Sequence, residues 1–185
     1  MVWGCLCHIF SDPVAWRCPN RTTVKPGIPD MTIISFQQSA IGRIGIASSG
    51  GAITNLLFEH YSVPEGAEPG HSDLLREAFR QLQAYLSGAL RVFDLPLAPR
   101  GTPFMQEVWR QVAAVPFGMT DSYREIAIAA GNPKAVRAVG MANRSNPVPL
   151  FIPCHRIIGS DGSLTGYRGG LQLKQLLLER ERSFL

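Results

Sequence analysis

The chain is short of cysteine. Four residues, Cys5, Cys7, Cys18 and Cys154, stand among 185, too few and too clustered for the disulfide framework of a secreted protein, so reduced thiols are expected. Long apolar runs are missing too. None approaches the roughly 20 residues needed to span a bilayer, and the first residues lack the basic start and extended apolar stretch of a secretory leader. A cytoplasmic location is the expectation, or a nuclear one in a eukaryote, with no membrane partner. Nor does one charge sign dominate, the formal net charge being +4. The excess is nevertheless local: residues 1–31 sum to +1, residues 32–100 to −1 and residues 101–185 to +4. Positive charge in the C-terminal part suits a polyanion, although alone it equally describes a solvated surface.

What is present suffices for a core. With 45% hydrophobic residues, the chain has material for one large domain or two small ones. Residues 1–31, with Pro13, Pro19, Pro26 and Pro29 and no clean periodicity, read as an irregular arm. Thr32 to Phe36, Arg43 to Ala47 and Ala52 to Phe58 read as strands of an antiparallel meander, parted by turn-forming Ser39 to Gly42 and Ser48 to Gly51. After a Pro/Gly-rich stretch from Val63 to Gly70, Leu74, Leu75, Ala78, Phe79, Leu82, Tyr85 and Leu86 recur at helical spacing, and Gly88 is placed to end that helix. Residues 91–101 read as a linker.

The second half reads as mostly helical. Thr102 and Pro103 open a helix with Phe104, Val108, Trp109 and Val112 on one face, which Pro116-Phe117-Gly118 stops. Ser122-Tyr123-Arg124-Glu125 has capping-box spacing and predicts a short helix from Tyr123 to about Ala130, ended by Gly131. Asn132-Pro133 then reads as the cap of a second short helix through about Asn143. Two short helices around a Gly-containing turn fit both a helix-turn-helix, whose second helix faces DNA, and an ordinary helical hairpin. A last helix, Leu171 to about Arg182, offers Leu173, Leu176 and Leu177 for burial and carries Glu179 and Glu181. The fold class is α+β, divided as an arm (1–31), a sheet-and-helix unit (32–100) and a helical unit (101–185).

Chemistry concentrates around Cys154. Asn146-Pro147-Val148-Pro149-Leu150-Phe151-Ile152-Pro153 makes a stiff, apolar approach to Cys154-His155-Arg156. A thiol of ordinary pKa is mostly protonated at neutral pH, so a nucleophilic cysteine needs a base or a positive field beside it, and His155 and Arg156 are candidates for both. Glu181 or Glu179 offers a carboxylate to orient the imidazole, which would complete a Cys/His/acid relay. The plainer alternative is a buried small hydrophobe beside a surface histidine. The longer context favours reactivity. Asn146-Pro147-Val148-Pro149, Ile152-Pro153-Cys154-His155-Arg156, Gly159, Leu164-Thr165-Gly166-Tyr167 and Gly169-Gly170-Leu171, with Gly131-Asn132-Pro133-Lys134-Ala135-Val136-Arg137-Ala138-Val139-Gly140 upstream, resemble the O6-alkylguanine-DNA alkyltransferases, also called methylated-DNA-protein-cysteine methyltransferases. The match is dense from about Gly101 to Glu181 and looser over residues 32–100, where the order of three strands and a helix fits.

The resemblance implies a ribonuclease H-like first unit and a winged-helix-like second unit containing a helix-turn-helix. It implies irreversible, single-turnover transfer of an alkyl group, methyl foremost, from O6 of guanine in double-stranded DNA to Cys154, with O4 of thymine a second candidate substrate. Carried over position by position, Cys154 is the acceptor, His155 the base acting through water, Glu181 its orienting carboxylate and Asn146 the tie between recognition helix and active-site turn. Arg137 fills the gap left by a flipped base, Ala138 and Gly140 keep the helix slim for the minor groove, and Tyr123 presses on the neighbouring phosphate and donates a proton to guanine. Tyr167, Arg168, Ile157 and Lys174 line or support the base pocket. No cofactor or metal is demanded, and a monomer is expected in solution.

The arm departs from that family's pattern, in which the meander starts near the N-terminus; a misassigned start with Met31 as the natural one, or a disordered extension, is expected. Cys5, Cys7, His8 and Cys18 match no zinc-ligand spacing. Two other classes fit parts of the pattern. A DNA-binding regulator with Cys154 as a sensor would not need a complete reactive segment, and a cysteine hydrolase would need an oxyanion-binding motif, of which none stands out.

Overall fold

Tight turns of two residues set the register of the sheet. In the computed structural model, which describes residues 31–185, β1 (Thr32–Ser39) turns into β2 (Gly42–Ser49), and the Ser39 hydroxyl closes the turn on the Gly42 carbonyl at 2.7 Å. Gly50 and Gly51, at φ +57° and +78°, join β2 to β3 (Ala52–Phe58) through a turn whose left-handed backbone suits glycine. Residues 1–30 of the arm, with the zinc candidates, lie outside the described residues. The Pro/Gly-rich stretch contributes a strand absent from the sequence reading: β4 (Ala67–Pro69) pairs in parallel with β1, giving the order β3-β2-β1-β4.

Helix α1 (Asp73–Leu86), capped by Ser72 accepting from the Leu75 amide, lays Leu75, Ala78, Phe79, Leu82, Tyr85 and Leu86 into the core. Each large aliphatic or aromatic side chain buried there contributes about 1.5–3 kcal/mol. The linker does more than connect. The Pro96 carbonyl and Ala98 amide both bond to Ile53 at 2.8 Å, and the Leu56 amide reaches the Pro147 carbonyl at 2.8 Å, so the outer edge of β3 is closed by the linker and by a segment of the helical half. One hydrophobic core runs through both halves, from Ile44 to Leu177.

In the second half, α2 (Pro103–Ala113) starts at its Thr102 cap with Pro103 in the first turn, and buries Val108, Trp109 and Val112. Gly101 passes so close to the Trp109 ring that a Cβ would come within 2.6 Å of it. β5 (Asp121–Ser122) leads through the expected capping box into α3 (Tyr123–Ala129). The next helix starts later than expected. α4 (Val136–Arg144) has Ala135 as its cap with no side-chain cap bond; Asn132 instead closes a turn, its carbonyl accepting from the Ala135 amide at 2.9 Å. Trp109 Nε1 donates to the Ala142 carbonyl at 2.8 Å and pins α4 to α2. A 3-10 turn (Cys154–Arg156) and β6 (Ile157–Ile158), parallel to β5, precede α5 (Leu171–Ser183). That helix buries Lys174, Leu177, Leu178 and Glu181, while Leu176 is exposed and Leu173 half-buried. The architecture is α+β, and no helix among the described residues is long and apolar enough to cross a membrane.

Candidate active site

The segment ahead of Cys154 is folded around Asn146. Its side chain is fully buried; Oδ1 accepts from the Val148 amide at 3.0 Å, and Nδ2 donates to the Ile152 carbonyl at 3.0 Å and to Cys154 Sγ at 3.3 Å. Leu150, at φ +74°, takes the left-handed conformation that disfavours a branched side chain, a strain of about 1–3 kcal/mol held by burial on every side. The result is a thiol presented from a rigid, buried turn. Burial pushes the Cys154 thiol up to about 11, although the Asn146 amide and the charges of Lys174 and Arg168 favour its thiolate.

His155 faces the other way, into the core. Its Nε2 lies 2.9 Å from Glu181 Oε1, and Nδ1 is buried without a hydrogen-bond partner. Burial pushes this imidazole below its ordinary range, against the pull of Glu181, so the neutral ring gives its one proton to Glu181 and leaves the lone pair on Nδ1. Glu181 is also held by Arg156, which contacts both carboxylate oxygens at 2.9–3.1 Å, by Tyr85 Oη at 2.5 Å and by the Gly118 amide at 2.8 Å. Burial raises the Glu181 carboxyl, but the bonds and charges of His155 and Arg156 outweigh it and hold the group at about 2. Of the two candidate carboxylates, Glu179 lies outside the site, exposed and bonded to Gln175. Arg156, a candidate base or field for the thiol from sequence, is instead the clamp on Glu181, anchored by its bond to the Val115 carbonyl at 2.6 Å.

The wall beside Cys154 is built on Lys174. Its ammonium, on a fully buried side chain, bonds the carbonyls of Ile157 at 2.5 Å and Thr165 at 2.8 Å, and burial lowers it to about 8. Tyr123 Oη donates to the Thr165 and Gly166 carbonyls at 3.1 and 3.3 Å, and its ring lies 5.6 Å from Lys174 Nζ. Tyr167 stands edge-on to His155, 6.3 Å between centroids, with its hydroxyl buried and unpartnered. Arg168 sits behind the wall: its guanidinium reaches the Asn146 carbonyl at 3.0 Å and covers the Tyr61 ring at 4.3 Å. The Tyr61 hydroxyl bonds the Arg168 carbonyl. Ile157 contributes a core side chain and a carbonyl for Lys174.

Arg137, Ala138 and Gly140 lie apart from the thiol, on α4. Arg137 and Ala138 are exposed, and a Cβ on Gly140 would meet nothing within 4 Å, so its smallness serves no packing inside the protein. Tyr85 and Tyr61 were not singled out from sequence. Tyr85 falls on the apolar stripe of α1, and the one available signal was its hydroxyl, which a buried tyrosine must satisfy.

Residues 103–183 match the family model described as 6-O-methylguanine DNA methyltransferase, DNA binding domain, and residues 33–99 match its ribonuclease-like domain. The chain belongs to the 6-O-methylguanine DNA methyltransferase family. Among its relatives, the constitutive methylated-DNA–protein-cysteine methyltransferase of Bacillus subtilis is 40% identical, over 82% of this chain and 96% of that protein. The methyltransferase of Methanosarcina barkeri is 56% identical, over 60% of this chain and 70% of that protein. A crystal structure of Mycobacterium tuberculosis OGT in complex with DNA superposes with a TM-score of 0.78 at 42% identity, covering 82% of this chain and 94% of that one. A methyltransferase of this family ends its reaction on a cysteine, and Cys154 is the free cysteine among the described residues.

Proposed function

We propose that this protein repairs double-stranded DNA by moving the alkyl group of O6-alkylguanine, methyl foremost, onto Sγ of Cys154, once per molecule. The observation that carries the reading is the pairing of a buried, protonated thiol with a neutral His155 whose Nδ1 is free and whose Nε2 is tied to Glu181. The thiol proton passes through a water to Nδ1, the sulfur attacks the alkyl carbon, and the C–O6 bond breaks with its electron pair staying on guanine. Guanine takes a proton from Tyr123, which recovers one from solvent as His155 releases its own. A thioether remains, and none of the groups gathered here breaks a C–S bond.

Residues 101–185 do the binding and the chemistry, and residues 32–100 brace them. The two-helix unit α3–α4 acts as a helix-turn-helix, with α4 in the minor groove, where slim Ala138 and Gly140 allow close approach. Arg137 fills the stack when the guanine swings out between Tyr167, Ile157 and the Lys174-supported loop. Support for DNA as partner comes from the M. tuberculosis relative solved on DNA. The same displacement applies to O4-alkylthymine. The protein works as a monomer, in the cytoplasm or nucleus, with no cofactor.

A quench-flow repair assay with a fivefold excess of O6-methylguanine duplex tests the reading. Repair should stop at one lesion per protein molecule, with O4-methylthymine duplex run alongside. Continued turnover would mark a hydrolase, and binding without repair a lesion sensor.

A further inference from the structure

Tyr85 comes from α1, in the half of the chain that supplies none of the reacting groups, yet its hydroxyl enters the relay. Its Oη lies 2.5 Å from Glu181 Oε1 and 3.2 Å from His155 Nε2, with the residue 3% exposed. A hydroxyl has one proton to give. Were it given to Nε2, the imidazole proton would move to Nδ1, and the lone pairs of Oε1 would face those of Nε2 at 2.9 Å and of the tyrosine oxygen at 2.5 Å with no proton between. That is costly. The tyrosine proton therefore goes to Glu181, Nε2 donates to Glu181 as well, and the Tyr85 oxygen turns a lone pair toward Nε2–H. Arg156 also reaches Oε1, at 2.9 and 3.1 Å, and shares Oε2 with the Gly118 amide, but among the described residues Tyr85 alone touches both Oε1 and Nε2.

We propose that Tyr85 is a positioning residue for alkyl transfer: its hydroxyl fixes Oε1 of Glu181 as the acceptor for His155 and so keeps the basic nitrogen of His155 on Nδ1. The inference rests on the alkyl-transfer reading of Cys154. Burial and the Glu181 charge push the Tyr85 hydroxyl well above the ordinary phenol range, so it neither gives nor takes the reacting proton. The relay is also faced by Arg156 and Cys154 from its own turn, by Lys174 from α5 and by Tyr167 from the loop before it. Arg156 and Lys174 disfavour the imidazolium, and Glu181 favours it. Removing the Tyr85 hydroxyl leaves the Glu181 charge less shared and more available to His155, which eases protonation of the imidazole.

Tyr85→Phe, which keeps the ring, is the test, with lesion duplex in excess. The amplitude then counts the molecules able to react and the rate constant reads their chemistry, so partial misfolding lowers the amplitude alone. The expected result is a rate constant lower by about tenfold, a fraction of what general-base catalysis supplies. The low-pH limb of the rate should also move to higher pH, while affinity for lesion DNA, measured in a Cys154→Ser background, stays unchanged. A Tyr85→Phe protein with the native rate constant and pH limb overturns the inference, and so does the pattern in which only Tyr85→Leu is slow, which would mark a packing role. If the native protein takes no methyl on Cys154, the alkyl-transfer reading fails and this inference with it; native transfer beside an unaltered Tyr85→Phe sinks the inference alone.

Discussion

A Cys154 thiol held near 11 does not ionise unaided at neutral pH; forming its thiolate there costs about 5 kcal/mol. The relay must supply that, and its pH signature differs from that of a free thiolate. Methyl transfer should rise with pH as His155 loses its proton, below the ordinary 6.5 because burial lowers it, and then stay level through pH 8. A rate still climbing between pH 8 and 10 would mean that the thiolate forms without His155. Stability carries the same groups. Glu181 titrates at about 2 in the fold against 4.5 ordinarily, so its contribution, about 3 kcal/mol, is present above pH 4.5 and lost as pH falls toward 2. His155 acts in the same direction, because the unfolded chain takes up its proton first. Urea midpoints should fall from pH 6.5 downward, and Glu181→Gln should cost about 3–5 kcal/mol at pH 7 and flatten the limb below pH 4.5. Cys154 and His155 were legible in sequence because their types and adjacency carry chemistry; Glu181 stood level with Glu179 until the family resemblance set it apart. Tyr85 was not legible, because a tyrosine on an apolar helical stripe looks like core until its hydroxyl's partner, 96 positions away, is known.

At the scale of elements, local rules held where a cap or turn was complete in itself: Ser122 with Glu125, Thr102 with Pro103, Gly50 with Gly51. They failed where a distant partner sets the geometry. β4 exists because β1 offers an edge, and the 91–101 segment is ordered because Ile53 offers both its amide and its carbonyl. α4 starts at Val136 because Trp109 and the turn at Asn132 fix its position, not a cap. In α5, Leu177 is buried and Leu173 packs partly against the core as expected, while Leu176 is exposed and two inward positions go to Lys174 and Glu181, polar groups that periodicity of apolar residues does not mark. For α4 the proposed role gives opposed expectations for stability and binding. Gly140→Ala should raise stability by about 0.5–1 kcal/mol, since alanine is the better helix former and its methyl meets nothing, yet weaken binding to lesion duplex. Equal or tighter binding would remove α4 from the groove. In the wall that carries Tyr167 and Arg168, Tyr61→Phe frees the Arg168 carbonyl. It should alter the rate on a bulky O6-benzyl lesion more than on O6-methyl; equal effects would mean that this wall does not size the pocket.

Across the whole molecule, the two matched family regions share one core, and the reacting groups of the second are braced from the first by Tyr85, Tyr61 and Phe58, whose ring packs 6.1 Å from that of Tyr167. Unfolding should therefore be a single cooperative transition. Because Sγ sits in a closed site against the Asn146 amide, an added methyl should overpack it, and the alkylated protein should be less stable by about 1–3 kcal/mol, read as a lower Tm. The most direct test of the central claim is the intact mass of the protein after incubation with excess duplex carrying one O6-methylguanine, followed by peptide mapping. The expected result is a gain of one methyl group per molecule, on the peptide containing Cys154 and absent in Cys154→Ala; an unchanged mass on a protein that still binds the duplex would contradict it.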